Sequence, residues 1–383
     1  MIRCSVPNRI PYRFGRLLIH RVDRFASDGR HRTPGKKEQM RVDGGTKRAN
    51  LDWLGALQLL STFRRNLGDR LPQTVVHSGT EVDIYQPDRA PRATAIFVPG
   101  LAIRGREDPR IRNLGWALCA TGLRVLIPDV PSIRALKISV DQPDEVQQLL
   151  ESLVADSTMV TTPGLSLLSV SFSGIFVLRA ALSAVLAQRL RALCLIGGYF
   201  DIERVASFLI NSDHADPYGR LIIARSYYSG DDPALAPVRE VLSRCVEASA
   251  LDNTGPSDLD TLFDTSDPVE AGLHRLLTDP HERQSFCRQV VTMFNDSWSG
   301  YRVPGDFPLD MPPVFLLHGR QDRVIPPQES CRLAQLLQDG GVSHRLCVTD
   351  FLGHGDAVIS LARLRQLYRL LAGFAWFLGY TRD

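Results

Sequence analysis

Residues 165–174, Leu-Ser-Leu-Leu-Ser-Val-Ser-Phe-Ser-Gly, decide how the rest of the chain is interpreted. The run from Leu165 to Val170 is short and apolar and follows a Pro-Gly pair, a pattern typical of a buried β-strand. From Gly174 onward the apolar residues continue at helical spacing, and alanine replaces the β-branched residues. Ser171 therefore stands where a predicted strand meets a predicted helix.

Small residues surround Ser171 at this junction. Ser169 lies two positions before it and Ser173 two positions after it. A sharp strand-to-helix turn needs small side chains at both positions, because larger ones would collide with the strand and the helix. A serine at such a turn is a candidate nucleophile, and Ser169 and Ser173 are the alternatives to Ser171. Ser169 falls inside the predicted strand, and a turn centred on Ser173 would place Ile175 where a small residue is required. Ser171 is therefore the favoured nucleophile.

Two segments near the other end of the chain present an acid and a histidine. Residues 313–326, Pro-Val-Phe-Leu-Leu-His-Gly-Arg-Gln-Asp-Arg-Val-Ile-Pro, predict a strand that ends in a loop holding Asp322. Residues 351–356, Phe-Leu-Gly-His-Gly-Asp, follow another strand-like run and hold His354. Each polar side chain is thus predicted to lie in a loop that follows a strand.

Together, these three segments resemble the α/β-hydrolase superfamily. The first is similar to its nucleophile elbow, G-x-S-x-G, with serine in both glycine positions. The others are similar to its acid and histidine segments, H-G-x-x-D-x-x-[IV]-P and G-H-G. The resemblance implies a triad of Ser171, Asp322 and His354, in the chain order of that superfamily. Asp201 is a rival acid, because some members carry the acid after the preceding strand.

The resemblance also implies an oxyanion hole. A strand predicted over 93–98 ends in Pro-Gly-Leu-Ala, where the superfamily has His-Gly. The donors would be the backbone N–H groups of Leu101 and Phe172. Pro99 takes the place of the histidine, which leaves the N–H of Leu101 available but changes the loop.

Strands and helices alternate along most of the chain, which predicts an α/β fold with a doubly wound, mostly parallel sheet. The alternation stops in the middle of the chain, where helical segments are separated by turns rich in Asp, Pro and Gly. We expect a helical cap there, inserted between strands near 192–196 and 314–318. The predicted organisation is a basic, disordered arm at 1–48, a core in two parts at 49–202 and 311–383, and the cap at 203–310.

The net charge of +3 hides a strong asymmetry between two segments. Residues 1–48 hold 13 Lys and Arg against 4 Asp and Glu, whereas residues 203–310 hold 9 Arg, no Lys and 18 Asp and Glu. The basic arm lacks apolar periodicity, so it is predicted to be disordered. It could contact an acidic surface, or Met40 could be the true start of the protein.

Composition and the absence of certain motifs exclude several classes of protein. The seven scattered cysteines form no C-x-x-C pair, which favours reduced thiols in a cytoplasmic protein over a disulfide framework or a zinc site. No apolar run reaches the roughly 18 residues of a membrane span. The chain contains no Walker A or G-x-G-x-x-G motif, so no cofactor or metal is implied and no nucleic-acid partner is expected. The oligomeric state is left open.

The function predicted from the resemblance is a serine hydrolase. It would cleave a carboxylic ester or a related acyl bond of a small or medium neutral substrate through an acyl-enzyme. Two alternatives remain open at this point. One is an acyltransferase that uses the same triad, and the other is a ligand-binding homologue without catalysis.

Overall fold

A central sheet of eight strands organises the computed structural model, which describes residues 50–136, 138–251, 258–308, 310–351 and 361–381. The predicted arm at 1–48 and His354 lie outside these ranges. The strands are β1 (Gln73–His77), β2 (Thr80–Tyr85), β3 (Ala93–Val98), β4 (Leu123–Pro128), β5 (Leu165–Val170), β6 (Leu190–Ile196), β7 (Val314–Gly319) and β8 (His344–Thr349).

The strand order confirms the predicted fold class. Across the sheet the order is β1-β2-β4-β3-β5-β6-β7-β8. The strands β1 and β2 run antiparallel to each other, β2 runs antiparallel to β4, and every later pairing is parallel. The strand that precedes Ser171, β5, lies near the middle of the sheet, between β3 and β6.

Helices cover both faces of the sheet. They are α1 (Trp53–Arg64), α2 (Pro109–Cys119), α3 (Pro131–Arg134), α4 (Gln142–Ala155), α5 (Gly174–Ala180), α6 (Ala184–Ala187), α7 (Ile202–Asn211), α8 (Pro217–Tyr227), α9 (Ala236–Leu251), α10 (Leu259–Leu262), α11 (Pro268–Thr278), α12 (Pro280–Ser297), α13 (Pro327–Asp339) and α14 (Leu361–Tyr380). None of those in the described ranges is long and apolar enough to cross a bilayer.

The two faces explain why the central strands are apolar without alternation. All six residues of β3 are buried. Ile96 and Val98 belong to the core beneath α4 and α5, whereas Ala95 and Phe97 belong to the core beneath α2 and α14. A strand covered on both sides excludes water from every side chain, so its sequence becomes a continuous apolar run.

The segment between β6 and β7 contains helices and no strand within 202–251 and 258–308. Several of its helices begin at an Asp-Pro pair, in which the carboxylate accepts hydrogen bonds from the first backbone N–H groups and the proline occupies the first turn. These pairs start at Asp216, Asp267 and Asp279. Part of the acidic charge of this helical insertion is therefore used to cap helices.

Candidate active site

Ser171 occupies a strained turn between β5 and the helical segment that leads into α5. Its backbone φ angle is +58°, in the left-handed region that non-glycine residues rarely adopt. Such a conformation typically costs about 1–3 kcal/mol and persists only where the surrounding structure enforces it. The turn brings the half-buried Ser171 to the end of the strand, at the edge of the sheet.

The two neighbouring serines have different surroundings. Ser173 is buried, and its hydroxyl lies 2.8 Å from the carbonyl oxygen of Val170 and 3.1 Å from that of Val98. It therefore ties the end of β5 to the end of β3. Ser169 is fully buried within β5, and its hydroxyl has no hydrogen-bond partner among the described residues. Of the three serines, Ser171 lines the apolar cavity at this edge of the sheet, and the other two do not line that cavity.

The register of the parallel strands brings the candidate residues to one edge. Ser169 pairs with Val98, and Val170 pairs with Ile196. Ile196 in turn pairs with Leu317 of β7. The loops that follow β3, β5, β6 and β7 consequently leave the sheet side by side. Because parallel strands present their carboxyl ends at the same edge, residues far apart in sequence converge there.

Two glycines permit this convergence. A Cβ atom at Gly100 would lie 2.9 Å from the Val170 carbonyl oxygen, closer than real Cβ atoms come, so glycine lets the loop after β3 pass beside the turn. Gly197 has a φ of +65°. A Cβ atom there would lie 3.5 Å from Asp322 Oδ2 and 4.0 Å from the backbone nitrogen of Ser171. Asp322 Oδ2 and the backbone of Ser171 therefore both lie within about 4 Å of the same point beside Gly197.

Asp322 is held by its own loop. Its Oδ1 accepts hydrogen bonds from the backbone N–H groups of Val324 at 2.8 Å and Ile325 at 2.9 Å. The side chain is 27% exposed. Since Oδ1 is engaged by the two amides, the carboxylate is fixed in orientation and Oδ2 faces Gly197. Oδ2 also lies 3.6 Å from Nε2 of His318, beyond hydrogen-bond distance, so it can accept from a further donor.

His318 belongs to the scaffold of that loop. It is fully buried at the end of β7, and its Nε2 lies 2.8 Å from the carbonyl oxygen of Ile325, which can only accept. Burial lowers the pKa of the imidazole below its ordinary value, so the ring is neutral. Its Nδ1 then accepts from the hydroxyl of Ser330 at 2.6 Å. Both ring nitrogens are thus occupied in supporting the turn after Asp322.

Asp201, the rival acid, is the N-cap of α7. Its Oδ1 accepts from the backbone N–H groups of Glu203 at 3.0 Å and Arg204 at 3.2 Å. The backbone N–H of Asp201 donates to the buried carboxylate of Glu329 at 2.9 Å. Asp201 therefore fixes the start of the helical insertion.

His354 lies outside the described residues, but the strand that precedes it does not. Thr349, the last residue of β8, pairs with Gly319 at the end of β7. Two contacts join the segments beyond these ends: the Arg320 N–H donates to the Thr349 carbonyl oxygen at 2.8 Å, and the Arg320 guanidinium lies 3.2 Å from the Asp350 carboxylate. The chain therefore leaves β8 beside the loop of Asp322.

The expected oxyanion donors both border the same space as Ser171. Leu101 and Phe172 line one cavity with it. The N–H of Phe172 belongs to the first turn of a helical segment, where backbone donors have no acceptor within the helix. The Phe172 ring is buried against Tyr199 and Tyr301, at centroid distances of 5.5 Å, which anchors the residue that carries this N–H.

The cavity has a volume of about 160 Å3 and lies between the sheet edge and the helical insertion. Among the described residues, its lining is apolar apart from Ser171 and Tyr218. The insertion contributes side chains from α7 and α8, and the core contributes Val324 and Ile325 from the loop of Asp322. Because Tyr218 is largely buried, the pKa of its hydroxyl is raised, and the group stays neutral at ordinary pH.

The sequence pattern of α7 could not identify which of its residues line the cavity. Ile202, Val205, Ala206 and Leu209 recur at helical spacing, which is the pattern of any helix packed on a core. The aromatic residues of the insertion are the more conspicuous sequence feature, but they pack against one another. Tyr227, for example, contacts the Phe286 ring at a centroid distance of 5.3 Å.

The described residues contain no cluster of three or more His, Cys, Asp or Glu side chains able to hold a metal ion. The described lining of the cavity around Ser171 has two polar side chains, the hydroxyls of Ser171 and Tyr218. Its chemistry is therefore suited to a largely apolar organic group.

No protein-family model and no curated protein matches the chain. Solved structures do match. A sugar hydrolase from Lactococcus lactis is 16% identical, with 72% of this chain and 81% of that chain covered and a TM-score of 0.37. Esterase 2 from Thermogutta terrifontis is 12% identical, with 77% and 90% covered and a TM-score of 0.40. A 2-hydroxy-6-oxo-6-phenylhexa-2,4-dienoate hydrolase from Rhodococcus is 18% identical, with 70% and 85% covered and a TM-score of 0.37.

Proposed function

We propose, from the premise that the chain has the α/β-hydrolase fold, that it is a serine hydrolase which cleaves a carboxylic ester or a related acyl bond. The observation that carries the proposal is the left-handed conformation of Ser171 at the end of a central strand, on the wall of an apolar cavity. Strained backbone of this kind clusters at active sites, and in a nucleophile elbow it presents the serine hydroxyl at the end of the strand.

Asp322 supports the proposal as the acid of the triad. Its carboxylate is oriented by two backbone amides, and its Oδ2 lies beside Gly197, close to the backbone of Ser171. A triad acid must hold one imidazole tautomer while keeping an oxygen free to accept the imidazole N–H, and Oδ2 of Asp322 meets that requirement. We propose His354 as the base, because it follows β8 and the end of β8 lies beside the loop of Asp322.

The reaction then proceeds in two halves. His354 takes the proton of the Ser171 hydroxyl as the oxygen attacks the acyl carbon, and it returns that proton to the departing alcohol. The N–H groups of Leu101 and Phe172 stabilise the negative oxygen of the tetrahedral intermediate. In the second half, water loses a proton to His354 and attacks the acyl-enzyme, which releases the carboxylic acid and restores Ser171.

An ester panel with and without acceptor alcohols tests the reaction type. We expect the purified chain to release p-nitrophenol from the acetate and butyrate esters and to form the free acid as the main product. A product that is mainly the transferred ester would instead identify an acyltransferase. Stoichiometric ligand binding without turnover would identify a binding protein that has lost catalysis.

The cytoplasmic location that the cysteine pattern favours stays a prediction.

The acidic insertion predicts a preference for neutral substrates. Between a neutral and an anionic ester that share one acyl group, we expect the neutral ester to have a kcat/KM about two- to tenfold higher at low salt, because like charges lower the local substrate concentration. The difference should shrink at high salt, where the charges are screened. A low-salt preference for the anionic ester would show that the acidic residues do not face the entrance.

A further inference from the structure

The small cavity beside Ser171 limits what the enzyme can accept. An apolar cavity of roughly 150 Å3 is large enough for benzene, a molecule of six carbon atoms. The space of about 160 Å3 between the sheet edge and helices α7 and α8 is comparable, and its walls are mainly aliphatic. It therefore has room to bury a short apolar group, whereas most of a long fatty-acyl chain would extend beyond it.

The group that occupies this space is the acyl group. In the proposed reaction the alcohol leaves halfway through turnover, whereas the acyl group stays on Ser171 until water releases it. Because Leu101 and Phe172 line the cavity together with Ser171, a carbonyl carbon attacked by Ser171 would lie at its wall, and the acyl chain would extend toward α7 and α8. A recess between the sheet edge and two helices suits the part of the substrate that remains bound.

One contact between those helices controls the size of the space. Gly219 of α8 faces Leu209 of α7, and both line the cavity. A Cβ atom at Gly219 would lie 2.6 Å from Leu209 Cδ2, too close for the side chain to stay where it is. The atom it meets is the end of a flexible side chain that borders the cavity, so an added methyl group would push Leu209 into the free space.

We propose that the enzyme prefers short aliphatic acyl groups of about six carbons or fewer, and that the Gly219–Leu209 contact sets this upper limit. This inference rests on the proposed function. Gly219 is here a specificity-determining residue, which acts by keeping the side chain of Leu209 withdrawn from the cavity.

Two variants with opposite effects on the cavity test the inference. Gly219→Ala should narrow the space, and Ile222→Ala should enlarge it, because the buried Ile222 lines the cavity one turn further along the same helix. The measurement is kcat/KM for p-nitrophenyl esters from acetate to dodecanoate, each divided by the acetate value of the same variant. This ratio cancels any general loss of active protein.

We expect Gly219→Ala to lower the hexanoate-to-acetate ratio by roughly tenfold and Ile222→Ala to raise the octanoate-to-acetate ratio by a similar factor, since one methylene in an apolar pocket is worth at least about tenfold. Ile222→Val serves if the alanine variant does not fold. The matched control is Ile210→Val, which alters a buried residue of α7 outside the cavity lining and should leave the profile unchanged.

Labelling of Ser171 with a small fluorophosphonate distinguishes failure of the proposed function from failure of the inference about the acyl cavity. If the unmodified chain is not labelled, the proposed function is wrong. If it is labelled but both variants keep the original profile, or if they change the preference for the alcohol at constant acyl group, the inference about the acyl cavity is wrong. A wild-type optimum at dodecanoate would also overturn it.

Discussion

Ser171→Ala is expected to abolish covalent labelling by a fluorophosphonate probe and to reduce ester turnover by roughly 10⁴- to 10⁶-fold. The reason is that Ser171 is the proposed nucleophile of the acyl-enzyme, and loss of a triad serine removes most of the rate enhancement. The measurements are mass spectrometry of the labelled protein and kcat for p-nitrophenyl butyrate. The same loss is expected for His354→Ala.

The neighbouring Ser173 supplies the control. Ser173→Ala should keep the labelling but lower the melting temperature, because the buried hydroxyl ties the ends of two strands together. Ser171→Gly should be inactive yet more stable than Ser171→Ala by about 1 kcal/mol, since glycine adopts a φ of +58° without strain. Labelling that survives Ser171→Ala would move the nucleophile to Ser169 or Ser173.

Asp322→Asn is expected to lower kcat by about 10³- to 10⁴-fold while leaving the fold intact. The amide oxygen of asparagine can still accept from the N–H groups of Val324 and Ile325, so its NH2 group takes the place of Oδ2. That group donates hydrogen bonds and cannot accept the imidazole N–H, which leaves the base in the wrong tautomer. The pH dependence and kcat of ester hydrolysis report the loss.

Asp201 provides the matched comparison. Asp201→Asn should change kcat by less than about threefold, because asparagine caps a helix nearly as well as aspartate. Asp201→Ala should cost about 1 kcal/mol of stability, measured by denaturant unfolding, through loss of the cap at the start of α7. A large loss of kcat in Asp201→Asn with little effect in Asp322→Asn would reverse the assignment of the acid.

The sequence predicted the sheet and the turn well because both depend on local patterns. The apolar run before Ser171 becomes β5, and its lack of alternation follows from burial on both faces. The Asp-Pro pairs in the middle of the chain mark helix starts through capping chemistry that involves only neighbouring residues. Short-range signals of this kind can be read without knowing what packs against them.

Other properties were decided by the tertiary structure. Asp201 and Asp322 each follow a strand in the sequence, and only the structure shows that one caps a helix while the other lies beside Gly197, close to the backbone of Ser171. In the same way, Val205 and Leu209 have the spacing of ordinary core residues, yet they line a cavity. Whether an apolar side chain meets a neighbour or an empty space depends on residues that lie far away in the chain, so local sequence cannot determine it.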